Sequence, residues 1–533
     1  MLKSRKWRPI ALSIFFILCI AVAVFFYFLL TLDILPMKYL IPIVAVIVLF
    51  VWLIGVLFFY RMRKKPSKAR RIRRIIGIVL SAVLTAAMLF GAVVLNRVIE
   101  TKEAVVAQPD SAPRAIVGVY VMNDDPAMGL NDTAEYRYGV LAGLGVEKLH
   151  SNYALGKINE SVGVSVEALS YSSITDAASA LRAGDVQALA ISKSYLPLLV
   201  DTDEYASFPD EVRLIGDIVV PQSATLENTP ILVDGTVDAA PEATPEPTPE
   251  PTPEPIKYGD DGALLFYLSG MDKSGQEIEY NAHADVNILM AINPKTKQVL
   301  IISTPRDSYV TNFALGGGDK LTHCAIQGVG NSIKALEYLY KTEVDNYCRI
   351  NFTGFEVLGD LIGGITLDNP TAFHTDYDNG DYYFEAGTIT LDGYQALCYA
   401  RERHAFADGD LARGRNQARV LTAMLNKVKT DSGKILLNYS DILDALAGTF
   451  ETDLQSSQIS DLVKVALKYL NDWDIKSYST WGFSGIRTVA SMGSQEVAII
   501  WPNERSVAFA TKLLAMIKND EFITDEVLAE APR

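Results

Sequence analysis

Cysteines are scarce in this chain, and acidic residues are nearly missing from its first 74 positions. Four cysteines in 533 residues exclude a disulfide scaffold, and neither a CxxC pair nor a Cys/His zinc spacing occurs. Charged residues make up 21% and hydrophobic residues 49%, which excludes a largely disordered protein. Residues 1–74 hold 14 Lys and Arg against one acid, Asp33, whereas the rest holds 34 basic and 62 acidic residues. A basic start on a large acidic body argues against nucleic acid as a partner.

Three long uncharged runs occupy the basic part of the chain: Pro9–Leu32 (24 residues), Tyr39–Tyr60 (22) and Ile75–Asn96 (22). Each is long enough to cross about 30 Å of hydrocarbon as a helix. A single run of this kind could be a buried core helix or a signal peptide, but three separated by charged residues favour a membrane anchor. The sequence therefore predicts an anchor over residues 1–97, with transmembrane helices at about 9–32, 39–60 and 75–96.

The basic residues of the connecting segments predict how the anchor is oriented. Four precede the first run, nine lie in Arg61–Arg74, and the connection that contains Asp33 and Lys38 is neutral. Because cytoplasmic loops carry an excess of Lys and Arg, the N-terminus and the Arg61–Arg74 loop are predicted to be cytoplasmic. Three crossings then place everything after Arg97 outside the cell membrane.

The outer part divides at Ala240–Pro255, which reads APEATPEPTPEPTPEP. A repeat with proline at short intervals and no core-forming residues is typical of an extended, stiff spacer. The sequence therefore predicts a linker over 222–257 between an accessory domain at 115–221 and a second domain at 258–525 with a helical C-terminal part.

The accessory segment has the pattern of a small α/β domain. A β-rich run at Ala115–Val121 is followed by helical periodicity from Asp176, a turn at Gly184-Asp185 and a strand-like run at Val186–Ile191. The helix, turn and strand resemble half of a type 2 periplasmic solute-binding domain. A spacer domain without a ligand is the alternative.

The second domain places charged residues next to predicted strand ends. The run Leu264–Ser269 leads to Asp272, Asp285 opens DVNILMAINP, and Val299–Ser303 leads to Arg306. Ligand crevices in open α/β sheets form at such ends. Aspartates at these positions also act as turn formers or helix caps, so each carboxylate alone is weak evidence of a metal site.

Five arginines lie within 19 residues further along: Arg401, Arg403, Arg413, Arg415 and Arg419. Read as a helix, Arg413 and Gln417 share one face. Each arginine alone could form a surface pair with Glu402, Asp408 or Asp410. Together, separated carboxylates suit Mg²⁺, and clustered guanidiniums suit a pyrophosphate. The combination predicts a site for a Mg²⁺-bound diphosphate.

These residues lie in motifs that resemble the LytR-CpsA-Psr family of membrane-anchored phosphotransferases. The resemblance runs from Tyr258 to about Lys429, and more loosely to about residue 520. Its motifs are Gly270-Met271-Asp272, DVNILMAINP, STPRDSYV, Lys320-Leu321-Thr322-His323, NFTGFEVLGDLIGGITLDNP and LDGYQALCYARERHAFADGDLARGRNQARV.

The resemblance implies an α/β/α domain with a central mixed sheet and a groove for a polyprenyl chain. It implies transfer of a glycopolymer, of the teichoic acid or capsule type, from undecaprenyl pyrophosphate to peptidoglycan in a Gram-positive-type envelope, with Mg²⁺ or alternatively Mn²⁺. Position by position, the metal site would use Asp272 and Asp285. The pyrophosphate and its head group would be bound by Arg306, Arg401, Arg403, Arg413 and Gln417, with Asp410 orienting Arg413.

The sequence departs from the family pattern at three points. His283 stands where many members have arginine, Asn416-Gln417-Ala418 replaces Arg-Gln-Gln, and Lys320-Leu321-Thr322 replaces Lys-Ile-Asn. His283 and Lys320 are therefore candidate substrate ligands, His283 as a substitute for one phosphate-binding arginine or as a bystander.

Three other functions remain open from sequence alone. The protein could be a non-catalytic receptor for a polyprenyl lipid or wall fragment, it could hydrolyse the lipid pyrophosphate, or it could transfer the glycan to a surface protein. The acceptor hydroxyl leaves no motif that would separate these. Cys324, Cys348 and Cys398 are predicted to be free thiols, with Cys324 and Cys398 the most buried.

Overall fold

The computed structural model describes residues 4–59, 67–106, 113–141, 146–202, 204–221, 223–225, 262–272, 274–275, 278, 282–470 and 472–532. The proline-rich tract Ala240–Pro255, most of the predicted 222–257 linker and residues 61–66 of the basic loop lie outside the described residues.

Three apolar helices make up the N-terminal part, called the anchor here (residues 4–106): α1 (Ser4–Leu32), α2 (Met37–Phe59) and α3 (Ser67–Val106). All three are long and apolar enough to cross a membrane. The three predicted helices are confirmed. α3 extends well past the predicted end at Asn96, because neither glycine nor proline interrupts residues 97–106.

The small unit (residues 113–221) is an α/β fold, as predicted. Its mixed sheet has the order β3-β2-β4-β1-β5. Helix α5 begins at the side-chain cap of Ser173 and ends at Gly184 in the left-handed conformation, which is the turn expected from the Gly-Asp pair. The elements are β1 (Pro113–Met122), β2 (Arg137–Leu141), α4 (Val146–Val162), β3 (Glu167–Tyr171), α5 (Ile174–Ala183), β4 (Ala188–Ser192), α6 (Phe208–Glu211) and β5 (Val212–Pro221).

The large unit (residues 262–532) is built on a six-stranded mixed sheet of order β16-β11-β6-β7-β8-β17. Strand β7 runs antiparallel to both β6 and β8, while β11 runs parallel to β6 and β17 runs parallel to β8. The predicted mixed sheet is confirmed. Its strands are β6 (Leu264–Met271), β7 (Ala284–Asn293), β8 (Gln298–Ser303), β9 (Tyr309–Asn312), β10 (Gly317–Lys320), β11 (Asn346–Asn351), β12 (Ile365–Asn369), β13 (Phe373–His374), β14 (Tyr383–Phe384), β15 (Gly387–Leu391), β16 (Phe450–Thr452), β17 (Asp474–Ser479), β18 (Gly482–Thr488) and β19 (Glu496–Pro502), the ones outside the six forming two-stranded sheets.

Helices cover both faces of this sheet, which gives the expected α/β/α layers. Because side chains alternate along a strand, Leu289 of β7 packs with one helical layer and Ile288 with the other. The helices are α7 (Leu321–Cys324), α8 (Val329–Tyr340), α9 (Phe352–Leu361), α10 (Gly393–Arg401), α11 (Asp410–Thr430), α12 (Ser432–Leu437), α13 (Tyr439–Leu446), α14 (Ser456–Lys468), α15 (Glu504–Lys518) and α16 (Asp525–Ala529).

The small and large units pack against each other. One hydrophobic cluster contains Ile174 and Leu198 of the small unit together with Met492 and Val497 of the large unit. A buried hydrogen bond from Gln327 Nε2 to Tyr195 Oη (3.0 Å) crosses the same interface. The small and large units therefore share a buried interface with both apolar and polar contacts.

The cysteines agree with the prediction. Cys324 and Cys398 are buried, Cys348 is half-buried, and all three are free thiols.

Candidate active site

The edge of the central sheet brings together three of the predicted residues. Asp272 follows β6, Asp285 is the second residue of β7, and Arg306 follows β8 by three positions. Because β7 runs antiparallel to both neighbours, its beginning lies beside the ends of β6 and β8. The sequence expectation that these residues share an edge is therefore met in three dimensions.

Helices α10 and α11 and the segment between them supply the remaining arginines, with Arg403 in that segment. Arg401 is the last residue of α10, which begins at a capping box between Asp392 and Gln395. Helix α11 carries Arg413 and Gln417 one turn apart, and both are buried. The predicted shared helical face is confirmed.

Asp285 is the electrostatic centre of the cluster. Its carboxylate accepts a hydrogen bond from Arg306 Nη1 at 2.7 Å and lies 4.0 Å from Arg413 Nη1. Burial alone would raise the pKa of Asp285, but the guanidiniums of Arg306 and Arg413 hold it below the usual range. Burial lowers the pKa of Arg413 to about 10. Arg413 also pairs with Asp410, as the sequence suggested.

Asp272 has the opposite electrostatic character. Burial raises the pKa of its carboxyl group, and the charge of Asp285 raises it further. The two carboxylates are therefore close enough to repel each other, a repulsion that a divalent cation between them would relieve.

A charged cavity of about 250 Å³, called the polar cavity here, opens at this edge of the sheet. Four guanidiniums and five carboxylates line it, so its charges nearly cancel. Such a mixture suits a ligand that combines a cation with anionic oxygens better than it suits a bare anion. The lining residues are Asp272, Asp285, Arg306, Asp376, Asp378, Asn379, Arg401, Glu402, Arg403, His404 and Arg413.

A second cavity of about 210 Å³, called the apolar cavity here, adjoins the first. Its walls are mainly aliphatic and aromatic side chains, and both cavities are lined by Asp285 and Arg401. The Arg401 guanidinium also lies 4.3 Å from the centre of the Phe352 ring, which fixes it by a cation–π contact. The apolar walls include Leu268, Val286, Ile288, Phe355, Leu358, Leu397, Val420, Leu421, Met424, Leu446 and Phe450.

Three other predicted ligands, Gln417, Lys320 and His283, do not line the polar cavity. Gln417 lines the apolar cavity and donates to the backbone carbonyl of Asp285 (3.2 Å). Lys320 is buried, with Nζ 3.5 Å from an Asp307 oxygen.

His283 faces the small unit. Its Nε2 is 3.3 Å from the Ser194 carbonyl oxygen, so the neutral ring donates there, and its ring packs edge-on against His323. Burial lowers the pKa of His283 to about 4, which keeps the ring neutral. His283 is thus engaged in the contact between the two units.

The sequence analysis missed the turn between β13 and β14, which adds Asp376, Asp378 and Asn379 to the polar cavity. The Glu402 carboxylate anchors this turn by accepting from Asn379 Nδ2 (3.0 Å) and the Asp376 N–H (3.3 Å). Glu402 is therefore no surface partner of an arginine, whereas Asp408 does pair with Arg415 at the surface (2.6 Å). The position of Glu402 between two arginines favoured a surface ion pair, so no signal in the sequence indicated its burial.

Residues 236–490 match the profile of the LytR_cpsA_psr family. This part of the chain belongs to the LytR-CpsA-Psr family. A polyisoprenyl-teichoic acid–peptidoglycan teichoic acid transferase TagU of Oceanobacillus iheyensis is 34% identical over 213 residues, which are 39% of this chain and 63% of the relative. A TagU of Bacillus cereus is 28% identical over 47% of this chain and 80% of its own length.

Among solved structures, B. subtilis TagV aligns with a TM-score of 0.40 at 22% identity, over 49% of this chain and 99% of TagV. The match to the Oceanobacillus relative covers less than two thirds of that protein's length. The anchor and the small unit, residues 4–106 and 113–221, precede the segment that matches the LytR-CpsA-Psr profile.

Proposed function

We propose that this protein is a phosphotransferase that moves a glycopolymer from undecaprenyl pyrophosphate to peptidoglycan at the outer face of the membrane. The observation that carries the proposal is the junction of the two cavities at Asp285 and Arg401. An amphiphile with a hydrocarbon chain and a diphosphate requires an apolar cavity that opens into a charged one. The TagU relatives are named as teichoic acid transferases, which supports a glycopolymer of the teichoic acid type.

The donor would bind with its polyprenyl chain in the apolar cavity and its diphosphate in the polar cavity. Guanidiniums of Arg306, Arg401, Arg403 and Arg413 would neutralise the diphosphate through paired hydrogen bonds. Gln417 would act indirectly, since it holds the backbone beside Asp285. In such reactions the residues contribute mainly by positioning and by charge stabilisation.

The acceptor hydroxyl would attack the phosphorus next to the polymer sugar. A new phosphorus–oxygen bond forms, the bridging phosphorus–oxygen bond breaks, and lipid monophosphate leaves. The hydroxyl proton must pass to a base, and Asp272 is our choice because the Asp285 carboxylate already accepts a hydrogen bond from Arg306.

Mg²⁺, or alternatively Mn²⁺, would be held by Asp272 and Asp285. The described residues contain no group of three or more His, Cys, Asp or Glu side chains arranged to hold a metal. Two carboxylates are nevertheless sufficient for Mg²⁺, which takes its other ligands from water and substrate phosphate. The repulsion between the two carboxylates fits this role, and the bound ion would supply charge neutralisation at the diphosphate.

An assay of the full-length protein in vesicles tests the proposal against its alternatives. The mixture contains lipid-pyrophosphate-linked glycopolymer, Mg²⁺ and peptidoglycan oligomers, and the products are separated by mass. Glycan on peptidoglycan supports the proposal. Release of free glycan phosphate would indicate a pyrophosphatase, glycan on added surface protein would indicate a different acceptor, and binding without turnover would indicate a receptor.

We propose that the large unit lies on one side of the membrane and that this side is extracellular. The basic loops support this orientation, and so does the ion pair of Asp33, between α1 and α2, with Lys464 of α14 (2.5 Å). Because that pair joins the α1–α2 connection to the large unit, both would lie on the same side, and the basic N-terminus and the α2–α3 loop would face the other side.

Protease added to intact cells is therefore expected to remove Ala115–Arg533 while the Arg61–Arg74 loop stays protected. Epitope tags in the loop and at the C-terminus report the two fates, and permeabilised cells serve as the control in which both are cleaved. Cleavage of the loop in sealed cells would overturn the orientation.

A further inference from the structure

The outer ends of the anchor helices contact the large unit through polar side chains. Lys102 of α3 is 6% exposed, and its Nζ donates to Ser460 Oγ at 2.8 Å. Asp444 of α13 accepts from Arg97 Nη2 (2.6 Å) and from Thr101 Oγ1 (2.9 Å). A lysine this deeply buried and hydrogen-bonded across an interface indicates a specific contact, since burying a cation without partners is costly.

Apolar side chains fill the space between these polar contacts. Leu32, Ile34 and Val98 of the anchor form one cluster with Leu443 of α13, and Phe450 of β16 packs against it. The polar and apolar contacts together define the anchor-docking surface, formed by residues 32–34 and 97–102 on one side and by 443, 444, 450, 460 and 464 on the other.

The anchor-docking surface adjoins the apolar cavity. Phe450 belongs to both, and Leu446, one helical turn from Leu443, lines the cavity. Helix α3 touches both α13 and β16, the two elements that carry these residues. The wall of the cavity is therefore continuous with the outer end of a membrane helix.

We propose that docking of the anchor holds the α13–β16 end of the apolar cavity against the bilayer, so that the polyprenyl chain of the donor passes from the membrane into the cavity along α3. This inference rests on the proposed function, because it takes a polyprenyl lipid as the occupant. Each methylene group exposed to water on the way would make the transfer less favourable. A continuous apolar path from lipid to protein avoids that exposure for a long chain.

A cysteine cross-link tests the docking itself, independently of any turnover. In Thr101→Cys/Asp444→Cys the thiols replace oxygens that lie 2.9 Å apart. We expect mild oxidation in native membranes to cross-link this pair, and not the control pair Glu100→Cys/Asp444→Cys, whose residue 100 is exposed on another face of the same turn. Equal cross-linking of both pairs, or of neither, would overturn the docking. This result does not depend on whether the wild type shows transfer activity.

Two donor substrates, one with a long chain embedded in vesicles and one short and water-soluble, test the lipid path. In Val98→Asp a charge replaces a side chain buried in the apolar cluster, and in Asp444→Lys a second cation faces Arg97. Both variants are expected to lose at least about tenfold in rate, equivalent to about 1.4 kcal/mol, with a long-chain donor embedded in vesicles. Their rate with a short-chain, water-soluble lipid pyrophosphate should match the wild type.

The control for this comparison is Glu100→Lys, an exposed change on the same turn that should leave both rates unchanged. Long-chain rates that stay at the wild-type level would overturn the path, and so would equal losses with both donors in Asp444→Lys, whose changed side chain lies at the surface. A wild type inactive with both donors would instead defeat the proposed function, and the cross-link would still decide the docking.

Discussion

Replacing Arg401 with alanine should remove most of the thermal stabilisation that a lipid pyrophosphate with Mg²⁺ gives the wild-type protein. Arg401 lines both cavities and stacks on Phe352, and it forms no ion pair among the described residues. Its guanidinium is therefore available to the diphosphate. Hydrogen bonds to a charged group contribute about 1.5–3 kcal/mol each, so binding should weaken roughly ten- to a hundredfold.

The measurement is the ligand-induced shift in melting temperature, with transfer rate as a second readout. Arg415→Ala is the matched control, because Arg415 comes from the same arginine-rich segment but pairs with Asp408 at the surface. Its loss should cost at most about 1 kcal/mol and leave the ligand response intact. Equal shifts in wild type, Arg401→Ala and Arg415→Ala would defeat the assignment of a pyrophosphate site.

Arg413 is expected to behave differently from Arg401. From sequence, clustered arginines repel one another, so removing either one would leave the ligand-free protein as stable or more stable. In the structure Arg413 is 4% exposed and pairs with Asp410 and Asp285. Arg413→Ala would leave Asp410 without this partner and Asp285 with Arg306 alone, so its loss of ligand binding is accompanied by a loss of stability.

Asp285→Asn is expected to abolish transfer and to destabilise the ligand-free protein by about 3–5 kcal/mol, the range for breaking a buried ion pair. The carboxylate lies between Arg306 and Arg413, and an amide of the same shape leaves two guanidiniums facing each other. Urea unfolding measures the stability change. Asp408→Asn, which breaks only a surface pair, is the control and should change both quantities little.

The same substitution predicts a distinct response to ligand and pH. A bound diphosphate would replace the missing negative charge. Lipid pyrophosphate should therefore stabilise the folded Asp285→Asn protein to the extent that the variant still binds it. The pKa of Asp285 is lower in the folded protein than in the unfolded chain. Its contribution to the free energy of unfolding of the wild type is therefore present above the unfolded pKa of about 3.9, and it is lost as the pH falls through the folded pKa. Full transfer activity in Asp285→Asn would show that this aspartate only shapes the sheet edge.

Local sequence patterns determined the secondary structure around the site. Runs of uncharged residues predicted the three anchor helices, and apolar runs predicted β6, β7 and β8 with Asp272, Asp285 and Arg306 at their ends. These features depend on period and length within a few residues, which is why they can be read along the chain. The family motifs added the arginines that now line one cavity.

Only the tertiary structure decided which charges face each other. Asp285 lies between two arginines that are 107 positions apart, Asp376 and Asp378 join the cavity from a turn, and His283 faces a different unit. The docking of α3 on α13 likewise joins segments more than 300 residues apart. Such contacts depend on the packing of whole layers, so no local pattern encodes them, and burial then sets the pKa values and ion pairs on which the proposed chemistry depends.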